Sequence, residues 1–420
     1  MDPARGVGAG ERQASARFGI ALPLSLAVLL AASLIGSAAM GTRQTFGLFV
    51  EPLSFDYGFP LTTVAFAIGV HNLVWGFAQP FAGAAADRWG PGAVVAVGAC
   101  LLSAGLALAA SASSATMLVL GIGLLYGAGV SCTSFGVVLT AVGRMARPER
   151  RSGAMGIASA GGSVGQVLVV PYAQGMLTHW GPGVALLGLA ALALVVAPLG
   201  YVISGKAGPE ADRHAEEDVT ARSAIVVALG NHGFCLLAIG FFTCGFQLAF
   251  IATHLPAYLG LCGMPAGAGA TALALIGLFN MVGSWGCGWL GDHFRQRNVL
   301  ALLYMLRGAA ILLFFLAPKS GLSVALFSAV MGLLWLGTVP LTTGVVARIF
   351  GTRHLGTLFG ICFLSHQIGS FIGSWAGGVV LQVTGSYTAI WIATALAGFI
   401  AAALHAVIAD APSRPMPQPA

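Results

Sequence analysis

Charge is what this sequence has least of. Of its 420 residues, 13 are Asp or Glu and 19 are Lys or Arg, together 8%, against 57% hydrophobic. A soluble domain carries about a quarter charged residues. A chain this poor in charge has no polar coat for a water-facing globule and is expected to face lipid. The seven cysteines (100, 132, 235, 244, 262, 287 and 362) form no CxxC pair and no Cys/His cluster. Neither a disulfide framework nor a zinc site is supported, so no metal is expected. Gly-rich phosphate loops, HExxH and paired acids within apolar runs are missing too, so a membrane-embedded enzyme lacks its usual parts. No catalysis and no cofactor are expected. The net charge of +6 does not indicate nucleic-acid binding. The basic residues sit in short loops between apolar runs, where membrane topology accounts for them.

What is there is a series of apolar runs, each about 20 residues, the length a helix needs to cross a bilayer core. Twelve spans are expected, at 18–49, 61–84, 92–112, 115–143, 152–178, 183–204, 224–258, 265–290, 298–317, 321–346, 355–383 and 387–408. The first run is too long for the apolar core of a signal peptide, about 7–15 residues, and reads as a retained helix. The longest polar stretch, "GKAGPEADRHAEEDVTARS", falls between spans six and seven. The chain therefore divides into an N-terminal six-helix half (1–204), a linker (205–223), a C-terminal half (224–409) and a tail (410–420). With the N-terminus in the cytoplasm, every Lys and Arg falls inside except Arg43, Arg307 and Lys319. Both termini are then cytoplasmic. The Ala- and Gly-rich composition suggests a bacterium, hence its inner membrane. The halves repeat: "GAAADR" after span two is matched by "GWLGDH" after span eight, and "MGIASAGGSVG" in span five by "FGICFLSHQIG" in span eleven, at nearly equal separations. The fold class is an all-α membrane protein of twelve transmembrane helices in two homologous six-helix halves. Duplicated halves are a transporter feature, with the site between them near mid-membrane.

Few polar side chains lie inside the spans, and each has a functional and a plain reading. Arg43 follows a long apolar stretch in span one. It either meets an anion or reaches to the outer headgroups. No Asp or Glu falls in the middle of any span, so histidines are the candidate proton carriers. His254 shares a helix face with Gln247, Ile251 and Tyr258, next to Pro256. That face either lines a cavity or packs against a neighbour. His366 and Gln367 stand in span eleven, with Ser370 and Ser374 continuing the His366 face among glycines; the first half has Gly162 where the second has His366. His71 and Asn72 stand in span two, with Trp75 and Gln79 at i+3 and i+7 from Asn72, and His71 reads first as packing. So do Tyr126, Trp335 and Thr338. Arg307 lies ten residues beyond Arg297, about 15 Å along a helix and near mid-bilayer, and reads as an interhelix hydrogen-bonding residue.

The pattern Gly83, Asp87, Arg88, Gly90 between spans two and three resembles the G-x-x-x-D-R-x-G-R loop of the major facilitator superfamily, with Pro91 in place of the final basic residue. The second copy keeps Gly288 and Asp292. Within that superfamily, "RRSGAMGIASAGGSVGQ" and "TFGLFVEPL" are similar to the fifth and first helices of monocarboxylate transporters, and "FIATHLPAYLG" and "FLSHQIGSFIGSWAGG" to their bacterial branch. The resemblance implies the major facilitator fold and secondary transport by alternating access. The cargo would be a small organic anion, most plausibly a monocarboxylate, with protons as the leading coupling ion. It also implies gating roles for Asp87, Arg88 and Asp292, and puts Arg43 near the family's carboxylate-binding lysine. One departure stands out. The animal members carry D-x-x-x-R on helix eight, and here that place reads Asn280 to Ser284, without charge. The expected substrate-lining set is Arg43, His254, Asn280, His366 and Gln367, with His254 and His366 as proton carriers. Anion exchange, or export of an amphipathic compound, is the alternative, and a sensor built on a transporter scaffold is a further class. The lipid bilayer is the other partner, and the chain is expected to be a monomer.

Overall fold

The computed structural model describes residues 26–145, 151–204, 223–351 and 355–410. All regular structure among them is helical. Among the described residues, eleven helices are long and apolar enough to cross a bilayer. One of these, Arg151–Val195, turns through Gly181 at φ 78°, just before Pro182. A left-handed backbone ends a helix, so this element comprises spans five and six, and the spans among the described residues number twelve. The others are Leu26–Phe55, Leu61–Trp89 and Pro91–Ala110 (spans one to three), then His232–Leu261, Ala268–His293 and Gln296–Leu316 (seven to nine), and Leu355–Thr384 and Thr388–Ala406 (eleven and twelve). Span four is built in pieces from Ala115–Leu118 to Phe135–Met145, with a π-helical segment at Val119–Tyr126. Span ten breaks between Gly321–Leu333 and Thr338–Phe350. Most of the linker, the start of span one and the tail after Asp410 lie outside the described residues.

Two boundaries differ from the sequence expectation. Span one continues to Phe55, with Pro52 in its last turn, which brings Glu51 inside a helix. Span seven begins at His232, where the Asn231 side chain accepts from the Phe234 amide at 3.0 Å. That side-chain cap satisfies an orphan donor and fixes the start.

Small residues let the helices approach. Span one lies on span five: Ser37 Oγ donates to the Gly161 carbonyl at 2.7 Å, and a Cβ on Gly165 would enter the Ser37 backbone. Span seven lies on span eleven, where Gly369 and Gly373 meet the carbonyls of Phe242 and Phe246. Between the halves, span two meets span eleven and span five meets span eight. A Cβ on Gly76 would stand 2.8 Å from Gln367 Cβ, and one on Gly277 would stand 2.7 Å from Gln166 Cβ.

Call the end where span one begins the inner end. At the outer end span one closes on span seven: Gly47 lies against the carbonyls of Ala252 and Thr253, with no room for a side chain. Beyond this seam is a cleft of about 290 Å³ lined by Glu51, Asp56, Gln174, Thr178 and Gly260, among others. At the inner end spans four and ten share no extensive contact among the described residues. Among those residues the halves thus meet closely at the outer end and less extensively at the inner end.

Candidate functional site

Arg43 sits just inward of the outer seam, on the face of span one that turns toward span two. Its Nη2 donates to Asn72 Oδ1 at 3.1 Å, and its guanidinium lies 5.3 Å from the centre of the Trp75 ring. Asn72 is itself held by donating to the Ile68 carbonyl at 3.1 Å. Trp75 Nε1 donates to Gln79 Oε1 at 2.8 Å, and Ser134 Oγ of span four donates to the same oxygen at 2.7 Å. These contacts hold the guanidinium against span two. No carboxylate pairs with it among the described residues. Its Nε has no hydrogen-bond partner, and neither do the side-chain polar atoms of the neighbouring Gln44 or the ring nitrogens of His71. A buried donor left unpaired is costly, so this arrangement is suited to receive an acceptor. Phe46, His71 and Tyr126 back it as a mutually tilted aromatic trio, with centroids 4.7–5.6 Å apart.

Across the interface, span eleven supplies Phe363, His366 and Gln367. Phe363 meets Trp75 edge-on at 5.3 Å and stacks on His366 at 6.1 Å. His366 Nδ1 is 3.1 Å from Gln367 Oε1, and Gln367 Nε2 is buried without a partner. Arg43, His366 and Gln367 thus flank one junction, joined by Trp75 and Phe363. Sequence reasoning assigned no role to those two aromatics. The signal was available: Trp75 stands three residues after Asn72, and Phe363 three before His366, each on its partner's helix face.

The other expected site residues lie elsewhere. His254 is fully buried where spans seven, eleven and twelve meet, with Nδ1 2.9 Å from Tyr387 Oη and Nε2 2.7 Å from the Ser374 carbonyl. A carbonyl only accepts, so Nε2 carries the proton. Both ring nitrogens are committed, and Gln247 on the same face donates to the Thr394 carbonyl at 2.9 Å. The His254 face is a packed helix interface and does not line an open cavity. The reason is that periodicity groups residues on a face but does not say what the face meets.

Asn280 is also fully buried, in the contact of spans five and eight. Its Nδ2 donates to Gln166 Oε1 at 3.3 Å and Ser163 Oγ at 3.5 Å. Its Oδ1 accepts from Ser284 Oγ at 3.1 Å and from the Leu336 amide at 3.2 Å, a donor freed by the break in span ten. Arg307 serves the other side of the same break. Its Nη2 donates to the carbonyls of Leu334 and Trp335, and Nη1 lies 3.3 Å from Cys244 Sγ and 3.5 Å from Gln247 Oε1. It bridges spans seven, nine and ten, as an interhelix residue should. A cation at a helix C-terminal end also opposes the helix dipole. Replacing Arg307 with Met should strand two buried carbonyls, at about 1–3 kcal/mol each. A fall in the unfolding temperature of the solubilised protein of several degrees is expected; an unchanged value would show that the break is held by other contacts.

Of the expected gating set, the Asp87 side chain lies outside the described residues. Arg88 is exposed, with its guanidinium 5.7 Å from its own neighbour Trp89. Asp292 is exposed and has no ion pair among the described residues. The carboxylate that ties the inner end of the second half is Asp410, which the sequence division had placed in the tail. It meets Arg297 at 3.7 Å and Arg348 at 3.5 Å. Asp410 follows span twelve directly and folds back under spans nine and ten, whereas Asp292 leaves its helix toward water. Partly exposed pairs are worth about 0–1 kcal/mol. Asp410→Asn should therefore lower stability by up to about 1 kcal/mol, and Asp292→Asn by less than about 0.5 kcal/mol. Thermal melts of the two variants side by side would check the ranking.

Comparison with known proteins agrees with this architecture. The family model described as Major Facilitator Superfamily matches residues 32–339 and 287–420. Monocarboxylate transporter 13 of Bos taurus is 28% identical over 370 residues, 87% of this chain and 84% of the relative. The oxalate:formate antiporter of Oxalobacter formigenes is 24% identical over 407 residues, 92% of each chain. Among solved structures, a bacterial homologue of the human lysosomal transporter Spinster, in an inward-facing and unoccupied conformation, superposes with a TM-score of 0.71 at 15% identity, covering 90% of this chain and 95% of that one. At that identity the superposition shows the fold alone.

Proposed function

Because the chain belongs to the Major Facilitator Superfamily, we propose that it is a secondary transporter moving a small organic anion, most simply a monocarboxylate, by alternating access. The observation that carries this reading is Arg43, a mid-membrane guanidinium with no carboxylate partner among the described residues, oriented by Asn72 and Trp75 and keeping Nε unpaired. Guanidinium binds a carboxylate through paired hydrogen bonds and stays charged at any physiological pH. It can hold an anion and cannot itself release a proton. The relatives named for monocarboxylate and for oxalate and formate fit an anionic cargo. On this reading the protein sits in a bacterial inner membrane with both termini in the cytoplasm, the orientation that the distribution of Lys and Arg favours. The inner end of the fold is then cytoplasmic, and the halves, closed at Gly47 and without extensive contact between spans four and ten, face inward.

Proton symport is the coupling mode, with the cytoplasmic Asp87, Arg88 and Asp292 acting in the opposite, outward-facing state. Exchange of one anion for another is the second reading, favoured by the similarity to an antiporter. The test is uptake of radiolabelled carboxylates into proteoliposomes. Symport requires accumulation driven by an inward proton gradient, whereas exchange requires a preloaded anion. Failure of the folded protein to bind or move any carboxylate would overturn the reading. The histidines separate under the same assay. His366→Gln should reduce gradient-driven accumulation at nearly unchanged thermal stability. His254→Gln should chiefly lower stability, because both ring nitrogens are structural. Full accumulation in the double variant would leave the substrate's own proton as the coupled one.

A further inference from the structure

The surroundings of Arg43 are aromatic rather than merely apolar, and this bears on which carboxylates fit. Phe359, Phe363 and His366 lie on one face of span eleven at i, i+4 and i+7. Phe359 and Phe363 are half-exposed, with rings 6.4 Å apart and 30° from parallel. Phe363 and His366 are parallel to within 4°. At the middle of this ladder Trp75 meets Phe363 at an interplanar angle of 75°, and the other side of the junction is the Arg43 guanidinium. The ladder begins near the inner end, and its middle member Phe363 is linked through Trp75 to the Arg43 guanidinium. Phe363 is packed edge-on by Trp75 and leaves part of its own surface open. An aliphatic body would gain only burial there. A flat ring gains offset stacking as well, and a carboxylate in the plane of that ring can pair with the guanidinium, whose buried Nε has no partner.

We propose that the site selects carboxylic acids with a planar aromatic body, the carboxylate held at Arg43 and the ring laid against Phe363 and Trp75. The proposal rests on the reading of Arg43 as the anion contact and narrows the substrate class. The probes are benzoate, cyclohexanecarboxylate and acetate, measured by binding to the full chain in nanodiscs. The first two match in size and charge and differ in their π system. Benzoate should bind about three- to tenfold more tightly than cyclohexanecarboxylate, the worth of an aromatic contact beyond buried area. In Trp75→Leu and in Phe363→Leu, two independent variants, that ratio should fall toward one. Equal affinities for the two ring acids in the wild type, or an unchanged ratio in both variants, would overturn the aromatic selection. Acetate separates this failure from a deeper one. Acetate binding without ring preference defeats this inference and leaves the anion-transport reading standing. Binding of no carboxylate at all defeats both.

Discussion

Arg43→Lys should weaken carboxylate binding by about 1–3 kcal/mol, the range of a charge-assisted hydrogen bond, and Arg43→Ala by at least as much. The guanidinium spends Nη2 on Asn72 at 3.1 Å and rests 5.3 Å from the Trp75 ring centre, which fixes its plane and leaves Nε without a partner. A carboxylate can then take two parallel N–H groups from one edge while Asn72 keeps the other. Lysine offers a compact ammonium with no such plane. It can serve Asn72 or the substrate with good geometry, and it stacks less well on the indole. An arginine that only reached for headgroups would tolerate lysine with no loss. Affinity is to be measured on nanodisc-embedded protein, after confirming membrane insertion and a wild-type melting temperature. Wild-type affinity in both variants would remove Arg43 from the site.

The spans were legible because lipid imposes a simple rule, one long apolar run per crossing. The two-half organisation was legible because duplication leaves matching loops. The ends of the spans were not. Glu51 reads as a boundary in sequence, yet the helix of span one continues through it to Phe55. The carboxylate there borders the outer cleft, and a Cβ on Gly260 of span seven would stand 3.2 Å from its Oε1. Span ten read as continuous because "GLLWLGTVP" stays apolar through its break. What holds the break is supplied from other spans, by Arg307 and Asn280. The same limit governs the candidate site. Periodicity placed Gln247 and His254 on one face correctly, but their partners, Thr394, Ser374 and Tyr387, lie more than a hundred residues away. Arg43 was legible for the opposite reason: a charge inside an apolar helix is conspicuous whatever it meets. Its orienting partners, Asn72 and Trp75, look in sequence like ordinary packing residues.

Gly47→Val should leave carboxylate binding largely intact and lower uptake by at least about tenfold, a loss of the kind seen when a conformational step is blocked. Gly47 is where span one crosses span seven, and any Cβ there would occupy the space of the Ala252 carbonyl, with the Thr253 carbonyl 3.0 Å away. Both obstacles are backbone, so no rotamer change relieves them. Interiors packed this closely respond by moving a helix rather than by local compression. Arg43 lies four residues inward, one helical turn from the seam, so its contacts with Asn72 and Trp75 need not change. The outer ends of spans one and seven should instead stay apart, holding the protein open to the outside. Spin labels at Asp56 and Cys262, both exposed near those ends, would report this directly as a longer distance than in the wild type. Gly47→Ala should show a smaller increase of the same sign, since its added volume is one methyl group. Wild-type uptake and an unchanged label distance in Gly47→Val would show that the close approach of spans one and seven is not the outer gate.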